Sequence, residues 1–272
     1  MHSSQDPGEA LRAAGPFLMA DPVRNSIFLT FLHGPEPGRY WWATEGSGGP
    51  VVGFAMQVPA GFSAGVAPAP GDVVDALCDR IMVDVPGLPG VIAEPPAAAR
   101  FAGRWAEYLA VPARPVEAQR VYRLDVLVPP GERLPGHLRR AEAGDRQTLV
   151  GWAAGFLAEV GGLPDEPAAA VDRNLAGERL WLWDDDGPAS MAAATAPLGG
   201  VSRIGFVYTP GERRRRGYAT ACVAALSERL LAEGAVSCML YAQLHNPTSN
   251  AIYRRMGYEP VAEVVSFRFG RA

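Results

Sequence analysis

Apolar positions recur at two spacings along this chain, and the changes of spacing mark its elements. In the second half, His137 to Ala141 alternates as a short strand. Leu149, Trp152, Ala153, Phe156 and Leu157 then fall on one face of a helix that Asp145 is placed to cap. A shorter helix is expected from Pro167 to Leu175. Strands follow over 179–183, 189–196 and 201–208, with Asp184-Asp185-Asp186-Gly187 and Gly199-Gly200 as the turns between them. Cys222, Val223, Leu226 and Leu230 return at helical spacing, and Gly234 ends that helix. A largely apolar run over 236–244 suits a central strand, Asn246-Pro247 opens another helix, and 261–269 reads as a closing strand.

The first half is patterned more weakly. A hairpin is expected from 40–44 and 51–58, and a helix over 72–82 with Val73, Leu77 and Ile81 aligned. A short strand over 90–93, a helix over 95–109 with Phe101, Trp105 and Leu109 on one side, and a strand over 120–128 complete it. The order echoes the second half. The Pro- and Gly-rich stretch from Val128 to Gly136 is the natural linker, so the domains expected are 1–130 and 131–272. Such an order of strands and helices gives an α/β fold with mixed sheets. The first half reads as a degenerate, non-catalytic copy of the second, with an unrelated α/β substrate domain as the rival.

The chain has 272 residues, is 48% hydrophobic and carries a formal net charge of -4, which fits a globular protein and offers no basic field for nucleic acid. All 25 basic residues are arginine. No apolar run approaches a membrane span, and the first nine residues lack a signal-peptide core, so a cytoplasmic protein without membrane association is expected. Cys78, Cys222 and Cys238 lie far apart in apolar surroundings and read as buried thiols. Neither they nor the four histidines form a metal-binding spacing, and no metal is expected.

The candidate chemistry begins at Arg213-Arg214-Arg215-Arg216-Gly217-Tyr218-Ala219-Thr220, which joins a predicted strand to a predicted helix. A helix N-terminus exposes unpaired N–H groups and partial positive charge. Four arginines there oppose the helix dipole unless an anion compensates, so this turn reads as a cradle for a diphosphate. A second segment, His245-Asn246-Pro247-Thr248-Ser249-Asn250-Ala251-Ile252-Tyr253-Arg254-Arg255-Met256-Gly257-Tyr258, lies downstream.

Together the two segments resemble the GNAT N-acetyltransferase superfamily. Its phosphate loop, Gln/Arg-x-x-Gly-x-Gly/Ala, is matched by Arg214, Gly217 and Ala219. Its later pattern, Asn-x-x-(Ser/Ala)-x-x-x-Tyr-x-x-x-Gly-(Phe/Tyr), is matched by Asn246, Ser249, Tyr253, Gly257 and Tyr258. The resemblance covers the C-terminal half and implies a GNAT-like fold there, with acetyl-CoA as co-substrate and an amine as acceptor. It implies that strands 201–208 and 236–244 run parallel and splay, leaving a slot for the pantetheine arm. Phe206, Val207 and Tyr208 would bind that arm through backbone, Arg213 to Thr220 would hold the diphosphate, and Asn246 and Asn250 would cap a helix or contact the cofactor. Tyr253 would be the general acid, with a packing tyrosine as the alternative. Many relatives have glycine where Arg215 stands, so its side chain must turn away from the diphosphate or toward the 3′-phosphate.

No general base is identifiable. The glutamate that relatives often carry on strand 201–208 is missing, and Glu159 and Asp172 read as solvated surface acids. Relatives often have Thr-Asp before the Asn-Pro segment, where this chain has Ala242-Gln243. Trp152, Phe156, Trp181 and Trp183 fit an apolar acceptor pocket and a packed core equally. A non-catalytic acyl-CoA-binding or regulatory module stays open beside the enzyme, as does a monomer beside a homodimer.

Overall fold

A computed structural model describes residues 1–131, 134–160 and 166–270. The elements are β1 (His2–Ser4), α1 (Pro7–Met19), α2 (Ser26–Leu32), β2 (Arg39–Thr44), β3 (Val51–Gln57), β4 (Ala64–Val66), α3 (Gly71–Asp84), β5 (Gly90–Ala93), α4 (Pro95–Leu109) and β6 (Ala113–Leu124). There follow β7 (His137–Arg140), α5 (Arg146–Val160), α6 (Pro167–Ala176), β8 (Leu180–Asp184), β9 (Pro188–Ala194), β10 (Val201–Tyr208), α7 (Tyr218–Ala232), β11 (Ser237–Gln243), α8 (Pro247–Arg255) and β12 (Glu259–Phe269). Among the described residues no helix is long and apolar enough to cross a membrane.

The chain divides into two units with interleaved segments: Met1–Val121 with Ala242–Asn246 and Pro260–Ala272, and Tyr122–Tyr241 with Pro247–Glu259. The stretch from Val128 to Gly136, where the sequence suggested a boundary, falls inside the second unit, and its Glu132 and Arg133 lie outside the described residues.

In the first unit, β1, β2, β3 and β4 pair antiparallel in turn, β4 pairs parallel with β5, and β5 pairs antiparallel with β12. The last strand of the chain thus closes the sheet of the first unit. Its core packs α3 and α4 on that sheet through Leu77, Ile81, Phe101 and Trp105. The expected strand over 120–128 is displaced to Ala113–Leu124. Val126 and Val128 continue its alternation but are exposed, so their apolar character alone did not extend the strand.

In the second unit, β7, β8, β9 and β10 are antiparallel neighbours and β10 runs parallel to β11. Leu149 and Ala153 of α5 pack on Leu180, Leu182 and Met191 of this sheet, with Val171 of α6. Asp145 does not simply cap α5. It ends a 3-10 turn, accepts the N–H of Glu142 at 2.8 Å, and is gripped by both terminal nitrogens of Arg139 at 2.7 and 2.8 Å. All three cysteines are buried and free. The second unit repeats the first: a helical pair, an antiparallel hairpin, a strand that turns parallel, a helix, a parallel strand and a helix.

Candidate active site

The parallel ladder between β10 and β11 joins Val201 to Ser237, Ser202 to Cys238 and Arg203 to Met239, and stops there, although both strands continue. The expected divergence is therefore present beyond Arg203. On its other edge β10 pairs Gly205 with Ala193 and next pairs Tyr208 with Met191, so it carries one residue more than its partner. That is a β-bulge, which re-aims the backbone groups of Phe206 and Val207. Phe206 adopts a left-handed φ of 55°, a strained conformation for an aromatic residue. Its ring is held edge-on by Phe156 of α5, with centroids 4.9 Å apart. Tyr208 packs beside Trp152, and its hydroxyl lies 2.3 Å from where a Cβ on Gly155 would stand, so only glycine fits there. Ser190 Oγ donates to the Tyr208 carbonyl at 3.1 Å.

After β10 the chain makes a short 3-10 turn over Gly211–Arg213 and then opens. The N–H groups of Arg213 and Arg214 are used internally, by Pro210 O at 2.9 Å and Gly211 O at 3.3 Å, and helical bonding resumes with Ala221 N–H to Gly217 O. Among the described residues, the amides of Arg215, Arg216, Gly217, Tyr218, Ala219 and Thr220 have no acceptor in the chain. A loop with that many unspent donors at the start of a fifteen-residue helix has the donors an anion needs. Arg215, at φ 61°, and Gly217, at φ 83°, both take left-handed backbone. Glycine would reach that conformation without strain, whereas Arg215 holds it at a cost.

The four arginines do different things. Arg214 is already engaged: its Nε donates to Thr209 O at 2.9 Å, its Nη2 pairs with Glu159, and its guanidinium lies 5.5 Å from the centroid of the Tyr208 ring. Glu159 holds the Arg214 pKa above its usual value. Arg213 is half-buried, Arg215 and Arg216 are exposed, and none of the three forms an ion pair among the described residues. Tyr218 is buried, and its hydroxyl donates to Asp185 in the β8–β9 turn at 2.6 Å, fixing the start of α7. Glycine at 217 has two structural reasons. Beyond the positive φ, an added Cβ would meet Leu134 Cδ1 at 2.9 Å, so Leu134 packs over this glycine.

Downstream, Asn250 on α8 is buried, and its Oδ1 accepts the Tyr122 hydroxyl at 2.7 Å. That contact ties α8 to the end of β6, which is a structural use of Asn250. Asn246 belongs to the segment grouped with the first unit. Tyr253 is half-buried, its ring between those of Tyr122 (6.1 Å) and Tyr258 (5.8 Å). Tyr258 packs beneath it at the start of β12, and its hydroxyl meets Ser227 Oγ of α7 at 2.8 Å. The Tyr253 hydroxyl has no hydrogen-bond partner among the described residues, and burial pushes its pKa up to about 12. It therefore stays a proton donor throughout the neutral range.

The two candidate carboxylates are both engaged among the described residues. Glu159 is paired with Arg214, and Asp172 is gripped by Arg146 through both oxygens, at 2.6 and 2.8 Å, which lowers its pKa. The four candidate pocket aromatics separate. Trp152 and Phe156 face the end of β10, whereas Trp181 is covered by Arg140 and Arg229, and Trp183 donates to Pro135 O. No residue pattern signalled the bulge, the Arg214 strut or the Tyr122–Asn250 bond.

Residues 184–266 match the family model described as FR47-like protein, a span that includes both the loop and the Asn246–Tyr258 segment. The whole chain is similar in structure to a GNAT-family acetyltransferase from Colwellia psychrerythraea, at TM-score 0.63 and 12% identity, over 99% of this chain and 100% of that one. It is similar also to a GCN5-related N-acetyltransferase from Sphaerobacter thermophilus, at TM-score 0.63 and 17% identity over 98% and 94% of the two chains. A tandem GNAT protein from the clavulanic acid biosynthesis pathway aligns at TM-score 0.57 and 15% identity over 94% of each. No curated protein matches the chain in sequence.

Proposed function

We propose that this chain, whose fold is that of the GNAT N-acetyltransferases, transfers an acetyl group from acetyl-CoA to a primary amine of a small molecule or peptide by direct attack, using the second unit. The observation that carries the reading is the open run of amides from Arg215 to Thr220, next to a β10 edge that β11 leaves unpaired beyond Arg203. The loop amides, with Arg213, Arg215 and Arg216 supplying charge, hold the diphosphate. The free edge of β10 accepts the pantetheine arm as an added strand would. Acetyl-CoA supplies an activated acyl group as a thioester. A backbone N–H of the Phe206–Val207 bulge is placed to polarise the acetyl oxygen, where charge develops as the amine attacks.

Tyr253 then gives its proton to the departing sulfur. A thiolate in water, with a pKa near 8.5, would be a poor partner for a phenol at about 12. Burial removes that mismatch, because desolvation lifts buried thiols as well. Cys222 and Cys238 of this protein are pushed up to about 12 by burial alone or burial chiefly. A thiolate leaving into a desolvated site is more basic than one in water, which favours the transfer. With Glu159 and Asp172 both paired, the amine proton leaves to water.

The test combines coenzyme A binding by calorimetry with thiol release from acetyl-CoA across a panel of primary amines. Saturable binding and turnover on at least one amine are expected. Tight binding without turnover on any amine would favour the non-catalytic module, and no binding would remove both readings.

A further inference from the structure

We propose that Glu159 is a positioning residue which, through Arg214, couples occupancy of the phosphate loop to the last turn of α5. The proposal rests on the cofactor reading above. Arg214 joins three parts of the second unit with one guanidinium: the loop that contains it, the end of β10 through Thr209 O and the Tyr208 ring, and α5 through Glu159. The same end of β10 already touches α5, through Tyr208 against Gly155 and Trp152 and Phe206 against Phe156. Loop, strand end and helix therefore form a closed triangle in which none moves alone. Glu159 and Arg214 are 54% and 43% exposed, so the ion pair by itself is worth little. Its effect is directional: it fixes which way the loop faces while six amides wait for an anion. Ordering that loop lowers the mobility of Arg214, and so of the α5 turn that carries Phe156 and Glu159.

Amide hydrogen exchange of the full chain, with and without coenzyme A, tests this. In the wild type, coenzyme A slows exchange both at 215–220 and at 156–160. In Glu159→Gln the slowing at 215–220 persists, that at 156–160 disappears, and coenzyme A affinity falls by no more than about two- to fivefold, as expected for a half-exposed pair. A Glu159 that only stabilised α5 would change exchange there equally with and without ligand. Slowing confined to 215–220 in the wild type, or retained at 156–160 in Glu159→Gln, overturns the coupling. Absence of slowing at 215–220 overturns the cofactor reading and the coupling with it.

A separate observation assigns one cofactor site per chain. By order and pairing, β4, α3, β5 and α4 of the first unit correspond to β10, α7, β11 and α8 of the second. The crossing from β4 to α3 is only Ala67-Pro68-Ala69-Pro70. The two prolines have no N–H, and Ala67 N–H is spent on Phe54 O at 2.9 Å. The Arg100 guanidinium lies 3.2 Å from where a Cβ on Gly71, the first residue of α3, would stand, and it is locked there by Asp75. Glu94-Pro95 begins α4 as Asn246-Pro247 begins α8, and six residues past each proline stand Phe101 and Tyr253. Phe101 is fully buried, stacked on Trp105 and Phe269, with no proton to give. The first unit thus offers a shorter run of amides, interrupted by two prolines and covered at Gly71 by Arg100, and a phenylalanine where the second unit has Tyr253. Calorimetry of the full chain with coenzyme A should give one site, and Gly217→Val should bind none. Two sites, or binding retained by a folded Gly217→Val, overturns this assignment; zero sites in the wild type overturns the cofactor reading too.

Discussion

Tyr253→Phe removes one oxygen atom and leaves the rest of the site in place. The ring sits 6.1 Å from Tyr122 and 5.8 Å from Tyr258, contacts that phenylalanine keeps. Because the hydroxyl has no partner among the described residues, its removal leaves no polar atom stranded, and stability should change by no more than about 0.5 kcal/mol. The chemical step loses its proton donor instead. General acids contribute about 10²- to 10⁴-fold, or about 2.7–5.4 kcal/mol at about 1.36 kcal/mol per tenfold, so kcat falls by that factor with coenzyme A affinity unchanged. The control is Tyr258→Phe. That hydroxyl is buried on Ser227, so its loss costs about 0.5–1.5 kcal/mol of stability and leaves kcat alone. The assays are thermal unfolding and thiol release on whichever amine turns over. The pH profile adds a further check. Burial raises the folded pKa of Tyr253 to about 12, so the donor form persists on the alkaline side and kcat should show no descending limb near pH 10. A kcat within threefold of wild type in Tyr253→Phe refutes the assignment and leaves Tyr253 as a packing residue.

Gly217→Val places a β-branched side chain at φ 83° and against Leu134, so the loop must rearrange; coenzyme A binding should be undetectable by calorimetry, and near-normal affinity in a folded variant would sink the loop assignment. Arg215→Gly keeps the backbone conformation while removing one charge, so affinity should fall by no more than about tenfold; complete loss would mean that the side chain, not the amides, does the binding. Arg139 hydrogen-bonds Asp145 and Asp184 and depresses both pKa values, so the stability it confers is complete above the usual carboxylate range and is lost as pH falls through the lowered values. Arg139→Ala should therefore cost about 2–3 kcal/mol in denaturant unfolding at pH 7, with the difference from wild type shrinking as the pH falls below the usual carboxylate range; an equal difference at neutral and at strongly acidic pH would contradict the linkage.

What could be read from the sequence was what neighbouring residues decide among themselves. Asp184 to Gly187 makes a turn because Gly187 reaches φ 109° and its N–H finds Asp184 Oδ1 at 3.0 Å, all within four residues. The phosphate loop was legible because charge, glycine and helix start are contiguous. In the first half, α1 carries Pro16 inside a helix, and β1 and β4 are three residues each, one of them Ala-Gly-Val, so neither periodicity nor propensity marked them. The site residues were harder for a related reason. An arginine in a basic run invites a phosphate contact on charge alone, yet Arg214 turns to Glu159, fifty-five residues earlier, and Asn250 is taken by Tyr122, 128 residues away. The loop's backbone shape is local and so is its capacity for an anion. The destination of each side chain is settled by packing partners that the motif does not contain. That division favours backbone amides over the arginine heads as the part of this site that specifies a diphosphate: the amides stay unspent under the local geometry, whereas one of the four guanidiniums is already drawn into the frame that holds the loop open.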